Sequence, residues 1–110
     1  MSQRTSLGES TGWVHSTLAD DPDFADILPL FIDELPGIRA VVNDAARSND
    51  FDSLRREAHK LRGSAGGYGF SGLSTLAGKL EDSCKNSAED ETMVLRNVNE
   101  LLDYLDRVRI

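Results

Sequence analysis

The chain has 110 residues, a formal net charge of -7, 39% hydrophobic and 28% charged residues, which fits one folded domain and not a disordered segment. The acidic balance argues against nucleic acid or an anionic membrane as partner, because phosphates demand a basic surface. The lone cysteine, Cys84, excludes an internal disulfide and a cysteine metal cluster, and no apolar run approaches the roughly 18 residues of a membrane span.

Residues 1–12 are rich in Ser, Thr and Gly and read as a flexible lead. They contain no apolar core of a signal peptide, so the cytoplasm is the expected location. The start at Met1 and the short lead lean towards a free-standing protein. Trp13, Val14 and Leu18 are placed to pack on the domain that follows. Asp21-Pro22 reads as an N-cap with proline at the first helical position. Phe24, Ile27, Leu28, Phe31, Leu35, Ile38, Val42 and Ala45 then recur at helical spacing, and Pro29 and Pro36 predict that this helix is kinked or split.

Ser48-Asn49-Asp50 is a turn and cap signal. A second stripe, Leu54, Ala58, Leu61, Ala65 and Tyr68, predicts a helix over about 52–67, ended by Gly66, Gly67 and Gly69. Ser71 can cap a third helix with Leu73, Leu76, Ala77, Leu80 and Cys84 inward. The polar run 85–91 breaks the period, and a fourth helix carries Val94, Val98, Leu101, Leu105 and Val108. No stretch alternates as a strand would. The expectation is an all-α, antiparallel four-helix bundle over residues 13–110, preceded by the lead or a short extra helix. Four stripes can bury against one another, so a monomer is expected.

Two glycine patterns need a decision. Gly67-Tyr68-Gly69-Phe70-Ser71-Gly72 spells the dinucleotide fingerprint G-x-G-x-x-G. That fingerprint needs a strand before it and a helix after it; here a helix precedes it. Gly72 to Leu80 is one residue too long for a P-loop and lacks the Ser or Thr that would hold magnesium. Neither supports nucleotide binding.

His59 follows Ala58 by one residue, about 100° round the helix and off the apolar stripe. Arg55, Arg56, Arg62 and Gly63 are its neighbours at helical spacing. Glycine inside a helix is unfavourable, so Gly63 needs a reason: the close approach of another molecule, or close packing of a neighbouring helix. An exposed histidine can be merely solvated. Its chemistry nevertheless favours one function, because neutral imidazole is a nucleophile near pH 7. Arg62 and Gly63 would offer a phosphoryl group charge and space.

At these residues a family resemblance emerges. Ala58-His59-Lys60-Leu61-Arg62-Gly63-Ser64-Ala65 closely resembles the signature of histidine-containing phosphotransfer (HPt) domains, relay modules of multistep two-component signalling. The resemblance continues through Gly66-Gly67-Tyr68-Gly69-Phe70, Leu73 and Leu76 into Leu80-Glu81. Upstream, Asp21-Pro22-Asp23-Phe24, Phe31 and Leu35-Pro36 also look typical. It implies that His59 accepts phosphate on Nε2, that Arg62 stabilises the phosphoryl charge, and that Gly63 leaves room for the partner. It further implies that Glu81 accepts a hydrogen bond from the other ring nitrogen. The implied partners are receiver domains of response regulators or of a hybrid sensor histidine kinase. No cofactor is implied on this chain, Mg²⁺ being expected on the receiver, and no autonomous kinase or phosphatase activity is expected. Arginine stands at position 62 where the family commonly has lysine. The alternative is a helical interaction module without chemistry, as a degenerate carrier or a dimerising bundle.

Other residues read as structural. His15 has no second ligand at metal spacing. Cys84 closes an apolar stripe and reads as core. Asp20, Asp21, Asp23 and Asp26 crowd a helix start, where the dipole favours them, and do not match a calcium loop. Phe31, Leu35 and Phe70 are candidates for exposed partner contacts, with core as the competing reading.

Overall fold

The computed structural model describes residues 12–85 and 91–109. Apart from Gly12, the lead assigned to residues 1–12 lies outside the described residues, as does most of the polar break after Lys85. A 3₁₀ turn at Pro22–Phe24 precedes four helices: α1 (Leu28–Arg47), α2 (Phe51–Gly67), α3 (Ser71–Lys85) and α4 (Glu91–Arg107). Each helix packs on both neighbours, with α4 closing against α1. The described residues contain no strand, only an isolated bridge between Val14 and Val108. The all-α four-helix bundle is therefore the fold.

The first helix differs from the sequence expectation. Asp21 does act as an N-cap, accepting from the Asp23 backbone N–H at 2.9 Å, but it caps only the three-residue turn. The α-helix restarts at Leu28, placing Pro29 in its first turn, where a missing N–H costs nothing. A helix running straight on from Pro22 would have put that proline in its interior. Ile27 falls at the restart and is 37% exposed instead of core. Pro36 neither splits nor ends α1, which runs on to Arg47. It lies on the exposed side of the helix, and its missing N–H leaves the Ile32 carbonyl without its helical partner.

The second helix begins as its cap signal predicts. The Asp50 carboxylate accepts from the Ser53 backbone N–H at 3.1 Å, and Asn49 takes a left-handed φ of 57° in the turn. Leu54, Ala58, Leu61 and Ala65 are all within 1% of complete burial. Ser71 is the first residue of α3 and not its cap, a displacement of one position.

Phe31, Leu35 and Phe70 belong to the core, at 1–4% exposure, and present no partner contacts. The Phe31 ring stacks on Tyr68 with centroids 4.6 Å apart and lies 5.8 Å from Phe70. Full burial of each such side chain stabilises by about 1.5–3 kcal/mol. Cys84 is also core, as its stripe predicts, and burial pushes its thiol up to about 11.

The segment ahead of Pro22 is anchored at two places. Val14 donates to Arg107 O and accepts from Arg109 N, each at 2.8 Å. Val14 and Leu18 pack against the core, whereas Trp13 is 64% exposed with the Arg109 guanidinium 4.1 Å over its ring. Further on, Ser16 Oγ donates to Tyr68 O at 2.6 Å and Thr17 N to Gly69 O at 2.9 Å. Gly69 has a φ of +85°, and a Cβ there would lie 2.4 Å from Ser16 Oγ. The α2–α3 turn thus needs glycine for its backbone and for its neighbour.

Candidate functional site

The most extensive helix interface is α2 against α3, and small residues allow it. Ala58, Ala65 and Ala77 are fully buried, and a Cβ on Gly66 would stand 3.5 Å from Ser74 Oγ. Ser74 Oγ also donates to Arg62 O at 2.8 Å, tying the two helices backbone to side chain. This close approach brings Glu81 of α3 under His59 of α2.

His59 is exposed, with 71% of its side chain open, whereas only 5% of the Glu81 side chain is open. The His59 Nδ1 to Glu81 Oε2 distance is 2.9 Å. That hydrogen bond, before any other influence, holds the Glu81 carboxyl below its ordinary range. Burial pushes it the other way, while Arg62 and Lys85 help to hold it down. An ionised carboxylate can only accept. Nδ1 must therefore carry the proton, which in neutral imidazole leaves the Nε2 lone pair free on the solvent side.

Arg62 Nη1 reaches Glu81 Oε1 at 3.2 Å, and Lys85 Nζ lies 3.7 Å from Oε2. One buried carboxylate thus gathers a histidine, an arginine and a lysine. Gly63 is exposed, and a Cβ there would meet nothing within 4 Å. Of the two reasons considered for glycine at that position, packing by a neighbouring helix is eliminated; the space opens to solvent.

The basic cluster read around His59 is smaller in space than in sequence. Arg55 and Arg56 both turn back to Asp52, Arg55 at 3.1 Å, while Lys60 pairs with Glu57 at 3.2 Å. Of the three arginines read around His59, Arg62 is the one that shares the acid holding the histidine. Two contributors escaped the sequence reading. Lys85 stands at i+4 from Glu81, a spacing that itself signals an ion pair. Ser74 carries no comparable signal, because its bond to a backbone carbonyl depends on helix packing.

A shallow groove beside His59 is lined by Val41 of α1 and by Arg56, Glu57 and Lys60 of α2. A larger concavity lies elsewhere, between α1 and α4 around the Arg39–Asp106 pair, and holds no nucleophile. The glycine fingerprint at 67–72 forms a helix–helix turn, without the preceding strand that a nucleotide site requires. Among the described residues no group of His, Cys, Asp and Glu could hold a metal. Nor is any of their helices long and apolar enough to cross a membrane.

An up-and-down helical bundle with an exposed histidine on one helix, its ring fixed from below by a buried acid on the next, defines a class of protein: a scaffold that holds an oriented imidazole open to solvent. The family model of the Hpt domain matches residues 26–110, and the chain belongs to that family. Comparison with curated proteins and with solved structures gave no match. Membership implies histidine phosphotransfer within phosphorelays, with receiver domains as the class of partner.

Proposed function

We propose that His59 is the phosphoacceptor and that the protein carries phosphate between receiver domains of response regulators, or from the receiver of a hybrid sensor histidine kinase. The observation that carries this reading is the exposed imidazole whose Nδ1 is held 2.9 Å from buried Glu81. The Nε2 lone pair attacks the phosphorus of a receiver's aspartyl phosphate in line. A P–N bond forms, the P–O bond to the aspartate breaks, and its electron pair stays on the carboxylate. The ring then carries positive charge with Nδ1 still protonated, and the Glu81 carboxylate stabilises it. Attack by a receiver carboxylate reverses the step. Such transfer depends on positioning and charge more than on covalent chemistry by the carrier.

Arg62 stands one turn from His59 and would counter the phosphoryl charge, while the open space over Gly63 would admit the rim of the receiver's site. The Mg²⁺ that accompanies the transfer belongs to the receiver. The protein would act in the cytoplasm, as a monomer whose helices cover one another's stripes, and without kinase or phosphatase activity of its own.

The test is phosphate uptake from a phosphorylated receiver domain by wild type and His59→Gln, read by intact mass before and after acid. An acid-labile phosphoryl group on wild type and none on the variant is expected. Uptake that persists in His59→Gln would sink the assignment. Unchanged partner binding and signalling by that variant would favour an interaction module without chemistry.

A further inference from the structure

Gly78 sits in the interior of α3, where glycine weakens a helix and no turn requires it. Apart from its chain neighbours and the backbone of its own helix, the three heavy atoms nearest to where its Cβ would be all belong to Arg62: Nε at 3.4 Å, Cδ at 3.5 Å and Cζ at 3.7 Å. The side chain missing from position 78 is replaced in space by an arginine from the neighbouring helix. Ser74, Gly78 and Glu81 follow one another at four and three residues, so they form one face of α3. All three touch Arg62. Ser74 Oγ holds its carbonyl at 2.8 Å, Gly78 underlies its side chain, and Glu81 Oε1 takes its Nη1 at 3.2 Å.

We infer that Gly78 is a positioning residue for phosphotransfer, leaving the gap that seats Arg62 across α3 with its guanidinium one turn from His59. This rests on the reading of His59 as phosphoacceptor. The seat has a defined size. The contacts at 3.4–3.7 Å are ordinary van der Waals distances, so a methyl fits and anything longer collides with the arginine. A guanidinium held in place loses little freedom when it meets a phosphoryl group, whereas a displaced one must be recaptured at each transfer. The effect therefore belongs to the maximal transfer rate and not to docking of the receiver.

The experiment is quench-flow transfer from a phosphorylated receiver with Mg²⁺, across receiver concentrations, for wild type, Gly78→Ala, Gly78→Leu, Arg62→Gln and the double variant Gly78→Leu/Arg62→Gln. Gly78→Ala is expected within about twofold of wild type. Gly78→Leu and Arg62→Gln are each expected to slow the maximal rate by about tenfold, with the half-saturating concentration unchanged. The double variant should be no slower than Arg62→Gln, because both changes remove the same seated cation. Gly78→Val is a second, smaller obstruction if the leucine prevents folding. A full rate in the obstructed variants, or losses that multiply in the double variant, overturns the inference while His59 stands. No uptake by wild type overturns both.

Discussion

Replacing Gly69 with alanine tests how the α2–α3 turn is held, and its cost can be worked from two separate causes. The φ of +85° lies where an L side chain is strained, which costs about 1–2 kcal/mol. The new Cβ would also stand 2.4 Å from Ser16 Oγ and 3.0 Å from Thr17 Oγ1, so the docked segment must shift. That shift breaks the Ser16 Oγ–Tyr68 O hydrogen bond, worth about 1 kcal/mol. The sum is a loss of about 2–3 kcal/mol, measured by urea unfolding followed by helical circular dichroism. In a Ser16→Ala background the closest collision and the hydrogen bond are already gone. There Gly69→Ala should cost only the backbone part, about 1–2 kcal/mol. A loss below about 0.5 kcal/mol, or equal losses in both backgrounds, would refute the view that the N-terminal segment clamps this turn.

Three further outcomes follow from the same geometry. Cys84, its thiol pushed up to about 11 by burial, should not react with a thiol reagent near pH 8 until the protein is unfolded, and rapid labelling of the native state would contradict its place in the core. The folded-state carboxyls of Glu81, Asp50 and Asp52 lie below their ordinary values, held there chiefly by His59, the Ser53 hydroxyl and Arg55 respectively. Their unfolded forms bind more protons, so each contribution is complete above the ordinary value, 4.5 for the glutamate and 3.8 for the aspartates, and is lost as pH falls below it. The urea midpoint should therefore drop on acidification, and less steeply for Glu81→Gln; identical slopes would rule Glu81 out as a contributor. Glu81→Ala should also slow phosphate uptake by at least about tenfold while the helical spectrum persists, since the ring loses the acceptor that sets its tautomer. Uptake at the wild-type rate would remove Glu81 from the mechanism.

The parts of the fold legible in the sequence are those set by local periodicity and caps. Leu54, Ala58, Leu61 and Ala65 repeat at one period without interruption, and their helix falls within a residue of its expected start. The beginning of α1 was less legible, because Asp21-Pro22 and Pro29 both signal a helix start and only packing chooses between them. His59, Arg62 and Gly63 could be grouped from one stretch of helix. Glu81 entered only through the family resemblance, because twenty-two positions separate it from His59. The arginine cluster was overread for the converse reason. Spacing placed Arg55 and Arg56 near His59, but Asp52, one turn back on the same helix, takes both. The packing of Arg62 over Gly78 was hidden altogether, since a glycine reveals nothing in sequence about whose side chain fills its place.

The most direct test of the account is to locate the phosphate on the imidazole. Isotope-labelled protein, phosphorylated by a receiver and examined by nitrogen-detected NMR, distinguishes the two ring nitrogens of each histidine. The account predicts phosphate on Nε2 of His59, with Nδ1 still protonated and donating to Glu81. Phosphate on Nδ1, or on any residue other than His59, would contradict it.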